Sequence, residues 1–269
     1  MLSQTRDFVL EVQVLASALQ ELTDAQWNQE TQFKGWTPND IVCHLHFWNE
    51  AADWSVHAQH AFQVRLDSIR EQTQRTGSMR PAEQQQVQSR GPALLALWLS
   101  FAQDMAQRWQ TLDPRQRVDW AGPPMSVRSS LTARQMETWA HGQAIFDMLG
   151  QNRPESARLR NIVVLGVNTF AWSHRVRGWD VPAQMPRIEL TSPQGENWSF
   201  GEVSEAGCVR GSARDFAQVV TQTRPLLDTD LQVQGDVARR WMSHAQCFAG
   251  PPEQPPMAGF RHKVMARPG

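Results

Sequence analysis

The chain has 269 residues, with 12 Trp, 11 Phe and no Tyr, a formal net charge of −1, and 41% hydrophobic against 20% charged residues. That balance is globular and excludes a disordered chain; the near-zero charge excludes a whole-surface pull on nucleic acid or an anionic membrane. With no phenol available, acid–base chemistry falls to His, Glu, Asp, Cys, Arg or a metal.

Residues 4–22 carry Phe8, Val9, Val12, Leu15, Ala16 and Leu19 at helical spacing. Thr37-Pro38 reads as an N-cap followed by proline at the first helical position, opening a long helix to about residue 72. Gly77 to Pro81 breaks it, and Gln84-Gln85-Gln86 reads as a solvated loop. A third amphipathic helix runs from Pro92 to about Leu112. A fourth starts at Thr132, with Gln135 as capping-box partner and Leu131 and Met136 as a staple, and closes at Gly150. Four such helices predict a bundle with its site in the core. A fifth helix is expected over about 155–176.

The pattern then changes. Arg187–Leu190 and Asn197–Phe200 flank a Ser-Pro-Gln-Gly-Glu turn and predict a β-hairpin. Further strands are expected at Cys208–Arg210 and Leu231–Gln234. Ser212 is expected to cap a helix to about Gln222, and Asp236 one ending near Phe248. The fold class is therefore α+β. A helical bundle over 1–152 precedes a helix and small α+β domain over 153–250, and a Pro-rich, poorly ordered tail occupies 251–269. No stretch is long and apolar enough for a membrane span. Three Cys without metal or disulfide spacing, and no basic-then-apolar leader pattern, lead to an expectation of a cytoplasmic protein. With 24 Arg and only 2 Lys, Schiff-base chemistry is not expected.

Helical phase sorts the histidines. At about 100° per residue, Ile41, Leu45, Trp48 and Ala52 form the buried stripe of the second helix, and His44 sits roughly 60° from Ile41 at its edge. His46, His57 and His60 fall roughly 100–160° away and are expected on the polar side with Asn49, Glu50 and Asp53. In the fourth helix, Glu137 and His141 stack at i, i+4 on a helix apolar nearly all round. A buried Glu needs a partner, a proton or a cation. A core histidine and a simple Glu–His hydrogen bond would satisfy these positions structurally. Alternatively, His44, Glu137 and His141 form a mixed nitrogen–oxygen set suited to a divalent metal, Zn²⁺ foremost, then Ni²⁺, Fe²⁺ or Mn²⁺. Three protein ligands leave positions open, as in catalytic sites. Cys43 is rotated about 100° from His44 and is a poor nucleophile partner for it. His174 and His244 have no partner at useful spacing. Trp36 is a candidate wall of the site.

Gly35-Trp-Thr-Pro-Asn-Asp-Ile-Val-Cys-His-Leu45 resembles the first signature of the DinB-like / mycothiol-dependent maleylpyruvate isomerase superfamily. Thr132-Ala-Arg-Gln-Met-Glu-Thr-Trp-Ala-His-Gly142, with Asp147 following, resembles its second. Val209-Arg-Gly-Ser-Ala-Arg-Asp-Phe216 is similar to its sterol-carrier-like C-terminal domain. The resemblance covers most of residues 5–249 and points to an uncharacterised metal-binding subfamily. It implies a DinB-like four-helix bundle, metal ligands at His44, Glu137 and His141, and a low-molecular-weight thiol as cosubstrate. It also implies an anchoring Arg after the C-terminal helix, here Arg224 in Thr221-Gln-Thr-Arg224. That stretch departs from the family pattern, so the isomerase's own substrate does not carry over. The expected function is a metal-dependent enzyme that activates a small thiol for transfer to, or isomerisation of, a small electrophile. The alternatives are a non-catalytic metal- or small-ligand-binding protein, and a polar core without metal. The expected partner is a small-molecule substrate, with neither nucleic acid nor membrane involved, and the protein is expected as a monomer or homodimer.

Overall fold

A computed structural model describes residues 2–264. The chain divides into two compact units, Met1–Leu149 and Gly150–Gly269.

The first unit contains seven helices among its described residues: α1 (Ser3–Gln20), α2 (Asp24–Trp27), α3 (Pro38–His57), α4 (Gln59–Thr76), α5 (Arg80–Gln86), α6 (Gly91–Trp109) and α7 (Val127–Met148). The long helices α1, α7, α3 and α6 pack in a closed ring, each against the next. Phe8, Val12, Leu15 and Leu19 of α1 meet Ile41, Leu45 and Ala52 of α3, Leu94, Trp98 and Met105 of α6, and Leu131 and Ile145 of α7 in one core. The i, i+4, i+7 spacing that marks α1 in the sequence is the stripe it buries.

Thr37 caps α3 as expected. Its Oγ1 accepts from the Asp40 backbone N–H at 3.2 Å, and Asp40 Oδ2 accepts from the Thr37 N–H at 3.0 Å. This reciprocal box fixes the register of α3, and with it the direction of His44 two turns later.

Three expectations for this unit are corrected. The long second helix is two helices: Ala58 leaves helical geometry (φ −148°, ψ 59°) and the chain doubles back. Doubling back lets α4 bury Phe62, Leu66 and Ile69 and brings the Arg65 guanidinium to the Phe47 carbonyl (3.1 Å) and the Glu50 carboxylate (3.1 Å). The glutamine run belongs to α5, a helix with proline in its first turn and a buried Ala82-Glu83 face. Helix α7 starts at Val127, not after Thr132. Ser126 is its cap, accepting from the Ser129 N–H at 3.1 Å, while Gln135 is fully buried. The short ladder of β1 (Arg117–Val118) and β2 (Met125–Ser126) pairs Arg117 with Ser126 and sets that starting point. Gly150, at φ +67°, follows the end of α7 as expected of a C′ glycine.

The second unit begins with α8 (Leu159–Asn168) and α9 (Phe170–Arg175), in place of one fifth helix. Thr169 interrupts them, its hydroxyl turned back onto the Leu165 and Gly166 carbonyls. Strands β3 (Arg187–Thr191), β4 (Asn197–Phe200), β5 (Cys208–Ser212) and β6 (Gln232–Gln234) form one sheet in the order β4-β3-β5-β6. The β3–β4 hairpin is antiparallel as predicted, while β3 and β5 run parallel, with Ile188 opposite Val209. Ser212 caps α10 (Ala213–Val220), which buries Phe216, Ala217 and Val220. Gly166 of α8 faces Val220 so closely that a side chain there would collide with it. Helix α11 (Asp236–Met242) is capped by Gly235 and stops six residues short of Phe248. The chain leaves it so that the Cys247 N–H reaches the Val220 carbonyl and the Gln246 N–H reaches Ser173 Oγ.

The Pro-rich tail is also corrected. As far as residue 264 it is hydrogen-bonded within the second unit. Buried Gln222 donates to the Glu253 carbonyl (3.1 Å), buried Gln246 accepts from the Glu253 N–H (3.0 Å), and Arg261 reaches the Gln222 carbonyl (2.7 Å). The tail completes the hydrogen bonding of two buried amides that also donate to the Ala245 and Phe248 carbonyls. The rest of the expected tail, 265–269, lies outside the described residues. No helix among the described residues is long and apolar enough to cross a membrane.

Candidate metal centre

His44 points into the first unit and is 7% exposed. Its Nδ1 lies 2.8 Å from Glu83 Oε1, and the same oxygen accepts from Trp48 Nε1 at 2.9 Å. An acceptor at Nδ1 places the proton there in the neutral ring, so Nε2 presents a lone pair. That Nε2 faces Glu137 Oε2 at 3.7 Å. On α7, His141 Nε2 lies 3.0 Å from the same Glu137 oxygen, the i, i+4 contact expected from the sequence. One donor atom from each of His44, Glu137 and His141 falls within 4.8 Å of the others, the one such cluster found among the described residues.

Aromatic rings enclose these donors. Trp36 stacks on His141 (centroids 5.6 Å apart, planes 3° apart) and sets its edge against His44 at 5.3 Å. Phe33 meets His141 edge-on at 4.9 Å. Arg134, one turn before Glu137, brings Nη2 to 3.8 Å from Glu137 Oε1 and lies over the Trp120 ring.

Charge is tightly coupled here. Burial pushes the His44 pKa down, but the Glu83 charge and the Glu137 hydrogen bond outweigh it and hold the ring up at about 9. Burial raises Glu137, yet the two imidazoles and Arg134 hold it well below the usual carboxylate range. Glu83 is likewise lowered against burial, chiefly by His44. His141 is lowered, with burial the largest cause, and so stays neutral. Without a metal, the cluster keeps one imidazolium between two carboxylates.

The residues fit a divalent metal. At metal–ligand distances of about 2.0–2.2 Å, ligand atoms lie roughly 3–4 Å apart, and the three donors approach that spacing. His44 is oriented by a carboxylate on its far nitrogen, the usual outer support of a metal-bound imidazole. His141 Nδ1 is buried with no hydrogen-bond partner. Cys43 is no part of the set: its thiol lies near the Val87 carbonyl, and burial, then Glu83, push it up to about 12.

The structure brings His44, Glu137 and His141 together and places Trp36 beside them. Arg224 belongs to the second unit, where it donates to the Thr223 carbonyl at 2.9 Å. His57 and His60 are exposed as expected. His46 is not: it is buried, edge-on to Phe101 at 5.4 Å, with its pKa lowered by burial. Asn49 and Asp53 are buried as well, with Asp53 accepting from Trp109 Nε1 at 2.9 Å. Helical phase separates two faces, but α3 touches α4, α5, α6 and α7, so almost no face is left for solvent. Glu83, Phe33 and Arg134 were missed. For Glu83 a signal existed, since proline after Arg80 is the start signal of a helix, not only the end of a break.

Comparison with known proteins places the family and the fold. The family described as mycothiol maleylpyruvate isomerase N-terminal domain matches residues 8–146. Two relatives from Mycobacterium tuberculosis, strains CDC 1551 / Oshkosh and ATCC 25618 / H37Rv, are each 34% identical over 254 residues, covering 91% of this chain and 95% of the relative; both are named only as uncharacterized proteins. The crystal structure of the mycothiol-dependent maleylpyruvate isomerase is similar in fold, with a TM-score of 0.54 at 14% identity over 88% of this chain and 92% of that one. A His-to-Ala mutant of that isomerase gives 0.51 at 15% identity, over 81% and 87%. With an α+β fold like that of the isomerase and a family match across its helical unit, the chain belongs to the mycothiol maleylpyruvate isomerase N-terminal domain family.

Proposed function

We propose that this protein is a metal-dependent enzyme that activates a low-molecular-weight thiol, mycothiol foremost by family, and directs it at a small electrophile as an isomerase or S-transferase. The observation that carries the reading is the convergence of His44, Glu137 and His141 within 4.8 Å, with His44 oriented by Glu83. Family membership supports the thiol and the isomerase-type chemistry.

His44 and His141 would hold the metal through imidazole nitrogen and Glu137 through a carboxylate oxygen; Zn²⁺ suits the set best, with Ni²⁺, Fe²⁺ and Mn²⁺ as alternatives. When bound, such a cation polarises a thiol S–H and favours the thiolate near neutral pH. The chain's own residues do the rest. Glu83 and Trp48 fix the His44 ring. Trp36 and Phe33 wall the donors and limit water on that side. Arg134 offsets part of the Glu137 charge. For Arg224 we propose the anchoring role that the family resemblance implies.

The test begins with metal analysis of protein purified without a histidine tag. Near-stoichiometric metal, lost in His44→Ala and His141→Ala, is the expected result. The loaded protein is then incubated with mycothiol or glutathione and a panel of electrophiles, and adducts or isomers are sought by mass spectrometry. Metal-free protein would defeat the reading; metal without thiol-dependent turnover would leave a binding protein in its place.

A further inference from the structure

Among the described residues of the first unit, Arg134 has more unpartnered guanidinium nitrogens than any other arginine. It is 3% exposed, and neither Nε nor Nη1 has a hydrogen-bond partner. Its one ionic neighbour among the described residues, Glu137 Oε1, lies 3.8 Å from Nη2, beyond hydrogen-bond reach. Guanidinium does not shed its proton, so burial cannot be relieved by neutralisation. A buried cation with open donors is costly, and chains keep such a group where something else completes it.

The surroundings identify what completes it. The Arg134 Cζ lies over the Trp120 ring, 5.0 Å from its centroid, and the donors left open, Nε and Nη1, lie on one edge of the guanidinium. The edge of a guanidinium matches two oxygens of a planar anion. We propose that Arg134 is the anchor for a carboxylate of the molecule that reacts at the adjoining donor cluster. This deepens the functional reading and rests on it: what it adds is the residue, Arg134, that holds a carboxylate one helical turn from Glu137. It assigns a carboxylate subsite within the helical unit.

Calorimetry on the full-length, Zn²⁺-loaded protein tests this with succinate as probe and its neutral dimethyl ester as control. Wild-type protein should bind succinate and not the ester. Arg134→Met, of similar length and without charge, should weaken succinate binding by about tenfold to a hundredfold while keeping its metal. Its ligand-free melting temperature should hold or rise, because a strained charge has been removed. Arg134→Lys keeps the charge but loses the fork, and should also bind succinate more weakly. Wild-type affinity in either variant, no succinate binding by the wild type, or a lowered melting temperature in Arg134→Met would each overturn the proposal; the last would show that Arg134 serves only as the ion-pair partner of Glu137. Protein that takes up no metal would bring down the functional reading itself. Loaded protein that binds succinate without regard to Arg134 would bring down the carboxylate anchor alone.

Discussion

At the scale of single residues, the site is governed by competition between a proton and a metal for His44. The ring is held at about 9, so across neutral pH the metal-free cluster carries a proton that a metal has to displace. Affinity for Zn²⁺ should therefore fall as pH falls, by about tenfold per unit below pH 9, in competition titrations with a chelating dye. The sign follows from the same shift in the metal-free protein: a His raised from 6.5 to about 9 contributes stability that is complete below pH 6.5 and lost as pH rises through 9. Glu83→Gln keeps an acceptor for Nδ1 but removes the charge that raises the ring. Its pH dependence should set in at lower pH than in the wild type, and a curve unchanged from wild type would contradict the role given to Glu83. The three proposed ligands were legible because i, i+4 spacing and helical phase are local properties. Glu83 was not, because it approaches from α5 across 39 residues, and only its folded position makes it a partner of His44.

At the scale of elements, the sequence pointed to most helices and placed several of their ends wrongly. Thr132 and Gln135 have the chemistry of a capping box, yet α7 does not start there. Ser126 has the same chemistry six residues earlier, and the β1–β2 ladder delivers it in extended geometry at the helix entrance. Local signals rank candidates, and the incoming chain chooses among them. Ser126→Ala should cost about 1 kcal/mol, whereas Thr132→Ala should cost clearly less, as measured by urea denaturation of the two variants side by side. Equal losses would mean that Ser126 does not carry the cap. The break at Ala58 has no glycine or proline to announce it. It exists because α4 buries its own stripe on α3, a tertiary preference that no window along the chain contains.

At the scale of the whole molecule, the two units differ in how much of them was readable. The helical unit announces itself through periodicity and two family-like motifs. In the second unit the strands and the Ser212 cap were visible, but the parallel pairing of β3 with β5 and the use of the tail were not. Proline-rich composition suggests a tail without structure, yet buried Gln222 and Gln246 take part of their hydrogen bonds from residues 251–261. Truncation after Phe248 should therefore lower the thermal stability of the protein, seen by circular dichroism. A truncated chain that melts like the full one would show these hydrogen bonds to be dispensable.

The stack of Trp36 on His141, with Trp48 bonded to the carboxylate that grips His44, has an optical consequence. A chain with no tyrosine emits through indole alone. Two of its indoles lie directly against the rings whose protonation and occupancy change, and an imidazolium withdraws light from an excited indole more effectively than a neutral ring does. The protein thus carries a built-in lamp beside its own proposed centre. Filling that centre should brighten or dim the protein without any added dye, and Trp36→Phe should remove much of the signal.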